Sequence, residues 1–167
     1  MSTHINFIPI NIAVVTISDT RALDNDKSGD VLEQRVIKSN HKLISREIVK
    51  DDFDKISQLF LDLINNKKID VIISTGGTGL TGRDITPEVM KTLFEKTIDG
   101  FGEMFRWLSY SKIGTSALQS RALAGVSSGT YIFCLPGSPS ACRDGWDQIL
   151  IHQLDIRHKP CNFVEIM

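Results

Sequence analysis

Cysteine is scarce. There are three, Cys134, Cys142 and Cys161, an odd number with no C-x-x-C pair among them. That excludes a disulfide framework and a cysteine zinc site, and leaves free thiols, packed or half exposed. The four histidines, His4, His41, His152 and His158, have no metal-ligand spacing. They read as surface or structural residues. Surplus charge is also lacking: 19 Lys and Arg against 20 Asp and Glu give a net charge of −1, so nothing draws the chain to nucleic acid. No apolar run approaches the roughly 18 residues needed to span a bilayer. The segment Met1 to Pro9 has neither a basic start nor a long apolar core, so no signal peptide is expected. Together these absences predict a cytoplasmic protein with no nucleic-acid or membrane partner.

What is present suits one domain spanning residues 1–167, with apolar residues enough to fill its core. No repeat or low-complexity linker divides it. Strand-like and helix-like segments alternate, which predicts an α/β fold: three layers, a mostly parallel sheet with helices on both faces. Strands buried on both faces should read as continuous apolar runs. Asn11 to Ser18, Ile69 to Thr75 and Thr130 to Leu135 do so. Lys42 to Val49 is more polar and is placed nearer an edge.

The helices follow the 3.6-residue period. One carries Phe53, Ile56, Leu59, Phe60, Leu63 and Ile64 on a single stripe. Another, Ser28 to Ser39, turns Val31, Leu32, Val36 and Ile37 inward. Thr86-Pro87-Glu88 starts a third, with Thr86 as cap, proline at the first position and an acid at the positive end. Ser138-Pro139 starts a fourth, whose Cys142, Trp146, Ile149 and Leu150 share a face. Lys96 to Val126 breaks the alternation and reads as one or two helices with a turn at Gly114. Its aromatics, including Trp107 and Tyr110, are assigned to the core, with a subunit contact as the alternative.

The most informative segment is Ser74-Thr75-Gly76-Gly77-Thr78-Gly79-Leu80-Thr81-Gly82-Arg83-Asp84. It leaves a buried strand and enters a helix, where open α/β sheets bind ligands. Four glycines allow turns closed to other residues and close approach of a ligand. Outward amides of residues 75–79, with hydroxyls of Thr75, Thr78 and Thr81, would hold phosphate oxygens. The dinucleotide fingerprint matches at Gly77, Gly79 and Gly82, and alone would suggest a nicotinamide-dependent oxidoreductase. It lies after the wrong strand, however, and lacks the distant acid. A P-loop would need Lys and Ser/Thr where Arg83 and Asp84 stand. Asp84 can serve as a magnesium ligand beside a bound phosphate, or can simply cap the turn. Two further loops complete the candidates: Pro136-Gly137-Ser138-Pro139, at a helix start that offers free amides, and Ser18-Asp19-Thr20-Arg21, read as a polar loop running to Gly29.

This series resembles the MoaB/Mog family of molybdenum cofactor biosynthesis proteins. The resemblance is carried by Thr75 to Gly79, Arg83-Asp84-Ile85-Thr86-Pro87-Glu88 and Pro136 to Pro139, with Ser18-Asp19, Lys27-Ser28-Gly29, Gly100 to Glu103 and Ser120-Arg121-Ala122 agreeing. It runs over nearly the whole chain. It implies the molybdopterin-binding fold and a homo-oligomer, a trimer or a dimer of trimers. It implies molybdopterin as substrate or ligand, with ATP and Mg2+ used to adenylylate the pterin's terminal phosphate. By motif position Asp84 matches a catalytic acid and the magnesium ligand, and Asp51, or Asp52 one residue on, matches a second acid. Ligand contacts fall to Ser18, Asp19, Thr75, Gly76, Gly77, Thr78, Gly79, Glu103, Ser120, Arg121, Pro136, Gly137 and Ser138. Ile113 to Arg121 and the tail Arg157 to Phe163 look like the bacterial MoaB branch rather than the adenylyltransferase branch. The alternative is therefore a carrier that holds molybdopterin or a precursor without chemistry.

Overall fold

A computed structural model describes residues 5–167; His4 and the first residues of the Met1 to Pro9 segment lie outside them. Four parallel strands form the centre: β1 (Asn11–Ile17), β2 (Lys42–Val49), β3 (Val71–Thr75) and β6 (Thr130–Leu135). β5 (Leu123–Ser127), antiparallel to β6, and the short β4 (Lys96–Thr97), antiparallel to β5, extend one side, giving the order β2-β1-β3-β6-β5-β4. β1, β3 and β6 are buried on both faces. β2 is the edge predicted from its polarity.

Strand alternation sends successive side chains to opposite layers. On one face Ile12, Val14, Ile73, Phe133 and Leu135 pack against α1 (Lys27–Lys38), α4 (Asp99–Ile113) and α5 (Pro139–Gly145) with its continuation through Trp146 and Leu150. On the other, Ala13, Val15, Ile72 and Ile132 meet Ile56, Phe60 and Leu63 of α2 (Phe53–Asn65) and Val89 and Met90 of α3 (Thr86–Leu93). The three layers are those expected from the sequence.

Several local expectations need correction. Asp26 caps α1: its buried carboxylate accepts the Gly29 amide at 3.0 Å and the Thr16 hydroxyl at 2.6 Å. The polar loop therefore ends three residues before Gly29. Thr86 is not a cap, because its hydroxyl donates to the Gly76 carbonyl at 2.9 Å and ties helix to loop. Ser138 is a cap, accepting the Ala141 amide at 3.1 Å. Ile37 and Phe53 are exposed, since each sits at the border of its apolar stripe.

The largest departure lies in residues 96–126. β4 and β5 escaped the period-based reading because one is two residues long and the other contains Gly125 and polar Ser127. Gly114 does make the turn, at φ +56°, into a 3-10 segment Gly114–Gln119. In α4 Phe101 and Phe105 are buried, whereas Trp107 and Tyr110 are 74% and 61% exposed and so are not core residues. The described histidines are structural or superficial; buried His41 accepts the Ile10 amide at its Nδ1. All three thiols are free, and burial pushes Cys134 to about 12 and Cys142 to about 11. No helix among the described residues is long and apolar enough to cross a membrane.

Candidate functional site

The strand order reverses between β1 and β3, since α1 leads outward to β2 and α2 leads back past β1 to β3. Ligands bind at such switch points, beyond the carboxyl ends of the strands. The loop after β3 begins there. Its first turn wedges between its neighbours: the Gly76 amide donates to the Leu135 carbonyl of β6 at 3.0 Å. A Cβ on Gly76 would lie 2.1 Å from the Ile17 carbonyl of β1, and the residue holds φ +109°. No side chain fits there.

Beyond this wedge the loop borders a cleft of about 630 Å³. Gly77, Thr78, Gly79, Asp84, Ser120, Pro136, Gly137 and Ser138, all singled out from the sequence, line it. The two loops meet as a parallel sheet requires; a Cβ on Gly137 would stand 3.3 Å from the Gly76 Cα. Ser28 at the start of α1 holds the second loop by donating to the Gly137 carbonyl at 2.9 Å. The opposite wall was not anticipated. It comes from Phe105, Ser109, Lys112 and Ile113 of α4, with Ala141 and Asp144 of α5. No sequence pattern links α4 to the loop; only the crossover of the chain places them together.

The expectation of five outward amides is narrowed. Thr75 belongs to β3 and Gly76 is spent on Leu135, whereas the Gly77 and Thr78 amides have no hydrogen-bond partner among the described residues. The hydroxyls are also partly committed. Thr75 donates to the Pro136 carbonyl at 2.9 Å, and Thr81 donates to Asp84 at 2.6 Å. Arg121 was placed among ligand contacts, yet its Nε donates to the Gly79 carbonyl at 2.7 Å, one terminal nitrogen to the Asp84 carbonyl at 2.6 Å, and the other pairs with Glu88. It braces the loop from behind. Glu103 faces away from the cleft, lining a groove with Lys91, Phe94 and Arg106. One helical turn separates it from Arg106, on the side of α4 opposite Phe105. Ser18 and Asp19 line a separate groove with Arg21, Arg46 and Lys50 at the β2 edge. Asp19 still reaches the loop through its ion pair with Arg83, a residue the sequence reading gave no role.

The carboxylates divide by environment. Asp84 accepts both the Thr81 hydroxyl and the Thr81 amide on one oxygen, Oδ2. Those bonds, with the Gly79 amide and the Arg121 charge, hold it below the usual carboxylate range despite some burial. Asp51 is pushed upward, first by burial and then by the negative charges of Asp19 and Asp84, which Arg83 offsets only in part. Its neighbour Asp52 faces elsewhere, capping α2 at the Lys55 amide at 3.0 Å. Asp51 and Asp84 flank the free amides: Cβ atoms built on Gly77 and Gly79 would come 2.9 Å from Asp51 Oδ1 and 2.7 Å from Asp84 Oδ2. Oxygen donors carrying unbalanced negative charge fit a hard divalent cation such as Mg2+. No three acidic, histidine or cysteine side chains among the described residues gather to hold a metal unaided. A cation there would need phosphate oxygens to complete its shell, as Mg2+ commonly does.

Comparison with known proteins agrees with this geometry. The family model described as "Probable molybdopterin binding domain" matches residues 13–156. The chain is 45% identical over 157 residues to molybdenum cofactor biosynthesis protein B of Escherichia coli K12, covering 94% of this chain and 92% of that one. It is 44% identical to the protein of the same name from Staphylococcus epidermidis, covering 90% and 88%. A crystal structure of molybdenum cofactor biosynthesis protein B superposes with a TM-score of 0.85 at 41% identity, covering 88% of this chain and 92% of that one. The tungsten cofactor synthesizing protein MoaB from Pyrococcus furiosus superposes with a TM-score of 0.78 at 36% identity, covering 85% and 91%. Sequence, topology and cleft thus lead to one assignment: the chain belongs to the MoaB/Mog family of molybdenum cofactor biosynthesis proteins, built on the molybdopterin-binding domain.

Proposed function

We propose that this protein binds molybdopterin in the cleft and adenylylates its terminal phosphate with ATP and Mg2+. The observation that carries the reading is the pair of uncommitted amides, Gly77 and Thr78, set between the carboxylates Asp51 and Asp84. The amides supply fixed donors for phosphate oxygens, pre-oriented by the Gly76 wedge and the Arg121 brace. In the reaction a phosphate oxygen of the pterin attacks the α-phosphorus of ATP, the bond to the β-phosphate breaks, and pyrophosphate leaves. Mg2+, when bound, supplies neutralisation of the phosphate charge. Asp51 and Asp84 would hold it, and its charge would offset the part of the upward push on Asp51 that comes from Asp19 and Asp84 rather than from burial.

One observation favours a second reading. Asp84 already serves as the acceptor that closes the Thr81 turn, which is what a structural carboxylate does. On that reading the protein holds molybdopterin or a precursor and performs no transfer. The two are separated by incubating the protein with molybdopterin, labelled ATP and Mg2+. Adenylylated pterin and pyrophosphate are expected, and Asp84→Asn should lower kcat by roughly a hundredfold while changing affinity little. Bound but unchanged pterin would leave the carrier reading standing; a protein that binds no pterin refutes both.

The proposal takes the protein as a homo-oligomer, a trimer or a dimer of trimers, in the cytoplasm. Support for the first is the apolar outer surface formed by Met104, Trp107, Tyr110 and Leu118, each at least half exposed. Support for the second is the three free thiols, in keeping with a reducing compartment.

A further inference from the structure

The glycine loop accounts for one end of the cleft. The other end carries a charged pair that nothing above employs: Lys112, near the C-terminus of α4, and Asp144, near the end of α5, meet across the gap. We propose that this pair forms the subsite that reads the amino-oxo edge of a pterin ring, a contact that rests on the molybdopterin reading above.

The spacing along α5 fits such a ligand. Ser138 caps α5 beside the glycine loop, and Asp144 lies six residues further on. At helical rise that is about 9 Å, so the pair stands one ring system away from the phosphate-binding amides. Between them the walls are apolar or small: Phe105, Ile113 and Ala141. A flat heterocycle esterified to phosphate has this layout, with a charged end, apolar faces and a polar far edge. The cleft volume falls in the range of small-molecule sites.

The chemistry of that far edge then matches the pair. A pterin presents an exocyclic amine and an adjacent ring N–H, both donors, followed by a carbonyl acceptor. An ionised carboxylate only accepts and an ammonium only donates. Asp144 can take the two donors while Lys112 takes the carbonyl. Asp144 has room for this. Its Oδ1 faces Lys112 and, at 3.5 Å, Gln148, whereas Oδ2 has no hydrogen-bond partner among the described residues. Its side chain is only 18% exposed, so it is not a freely solvated surface charge. Directly after it the helix widens into a π-helical stretch, Trp146–Leu150, a distortion frequent at functional sites.

Guanine offers the same edge, so the shared chemistry is an amino-oxo pyrimidine, and the test separates its sources. The ligands are a hydroxymethylpterin phosphate ester, its lumazine counterpart in which a carbonyl replaces the exocyclic amine, guanosine monophosphate and inorganic phosphate. Binding is followed by pterin fluorescence and by competition. The wild-type protein should prefer the pterin ester to the lumazine ester by about tenfold, the worth of a hydrogen bond to a charged group. Asp144→Asn should lower pterin affinity about tenfold and abolish that preference. Lys112→Met, which breaks the pair from the other side, should weaken both esters alike because both keep the carbonyl. Inorganic phosphate should compete equally in all three proteins, reporting an intact glycine loop and fold.

Unchanged affinity and unchanged preference in both variants would reduce the pair to a strut between α4 and α5 and overturn the proposal. Tighter binding of guanosine monophosphate than of the pterin ester would overturn it as well. If wild-type protein bound phosphate but no pterin ester, the molybdopterin reading itself would fall, a result distinct from either of these.

Discussion

The two ends of the cleft are built in different ways. At the glycine loop the ligand-facing groups are backbone amides, and side chains work behind them: Thr86 holds the Gly76 carbonyl, Arg121 holds the Gly79 and Asp84 carbonyls, and Thr75 holds Pro136. At the α4 wall the cleft-facing groups are side chains on a helix, seated by Phe101 beneath. Backbone donors tolerate little substitution because the main chain must keep its path. A helix face can be exchanged residue by residue while its buried side holds it in place. On the proposed reading the loop end would hold the phosphate common to such ligands, and the helix wall would hold whatever distinguishes one ligand from another.

This contrast can be broken most sharply at Gly76. Gly76→Ala forces a Cβ against the Ile17 carbonyl at a φ that suits glycine. It should cost about 3 kcal/mol or more, read as a large loss of Tm and of phosphate binding together. An alanine protein of unchanged Tm would show that the wedge is pliable and the contrast false.

A smaller effect is expected at Asp51, where the loop end bears an electrostatic cost. Its raised pKa means that the folded state holds the proton more tightly than the unfolded chain does. The unfavourable contribution is therefore absent at low pH, where both states are protonated, and grows as pH rises through the carboxylate range. Asp51→Asn should raise Tm at neutral pH by on the order of a degree or two and leave it unchanged at low pH. Destabilisation at neutral pH would mean that the carboxylate is held by partners rather than strained by them. Added Mg2+ with a phosphate ligand should erase the difference between the two proteins.

The smallest change in stability is expected on the helix wall's outer side. Trp107→Ala removes a side chain that packs on little within the chain, so the fold should keep its stability to within about 0.5 kcal/mol. Its effect should appear instead in sedimentation, as a shift toward smaller species. A variant that loses several degrees of Tm while sedimenting as the wild type does would assign the tryptophan to the fold.

The same contrast marks where the sequence could be read. β1, β3, β6 and the loop after β3 announced themselves, because burial on both faces demands uninterrupted apolar runs and a tight backbone turn demands glycine. Loop and Pro136–Ser138 were legible as one site for a topological reason, since parallel strands deliver their following loops to one edge. Trp107 and Tyr110 misled because aromatic residues in a helix signal burial without saying in what, and here nothing among the described residues covers them. Arg121 and Glu103 mark another limit of the sequence. A motif fixes which residues recur, and it does not tell whether a side chain faces the ligand or supports the backbone that does.

By itself, then, the order of residues determined the layered α/β architecture, the edge position of β2 and the family, since all of these follow from local periodicity and from contiguous motifs. Only the folded structure decided that α4 closes the cleft, that Asp51 rather than Asp52 stands beside the loop, and that the Gly77 and Thr78 amides have no partner among the described residues. Those outcomes depend on contacts between segments dozens of residues apart, which no local pattern encodes and which arise when the chain crosses over its own sheet.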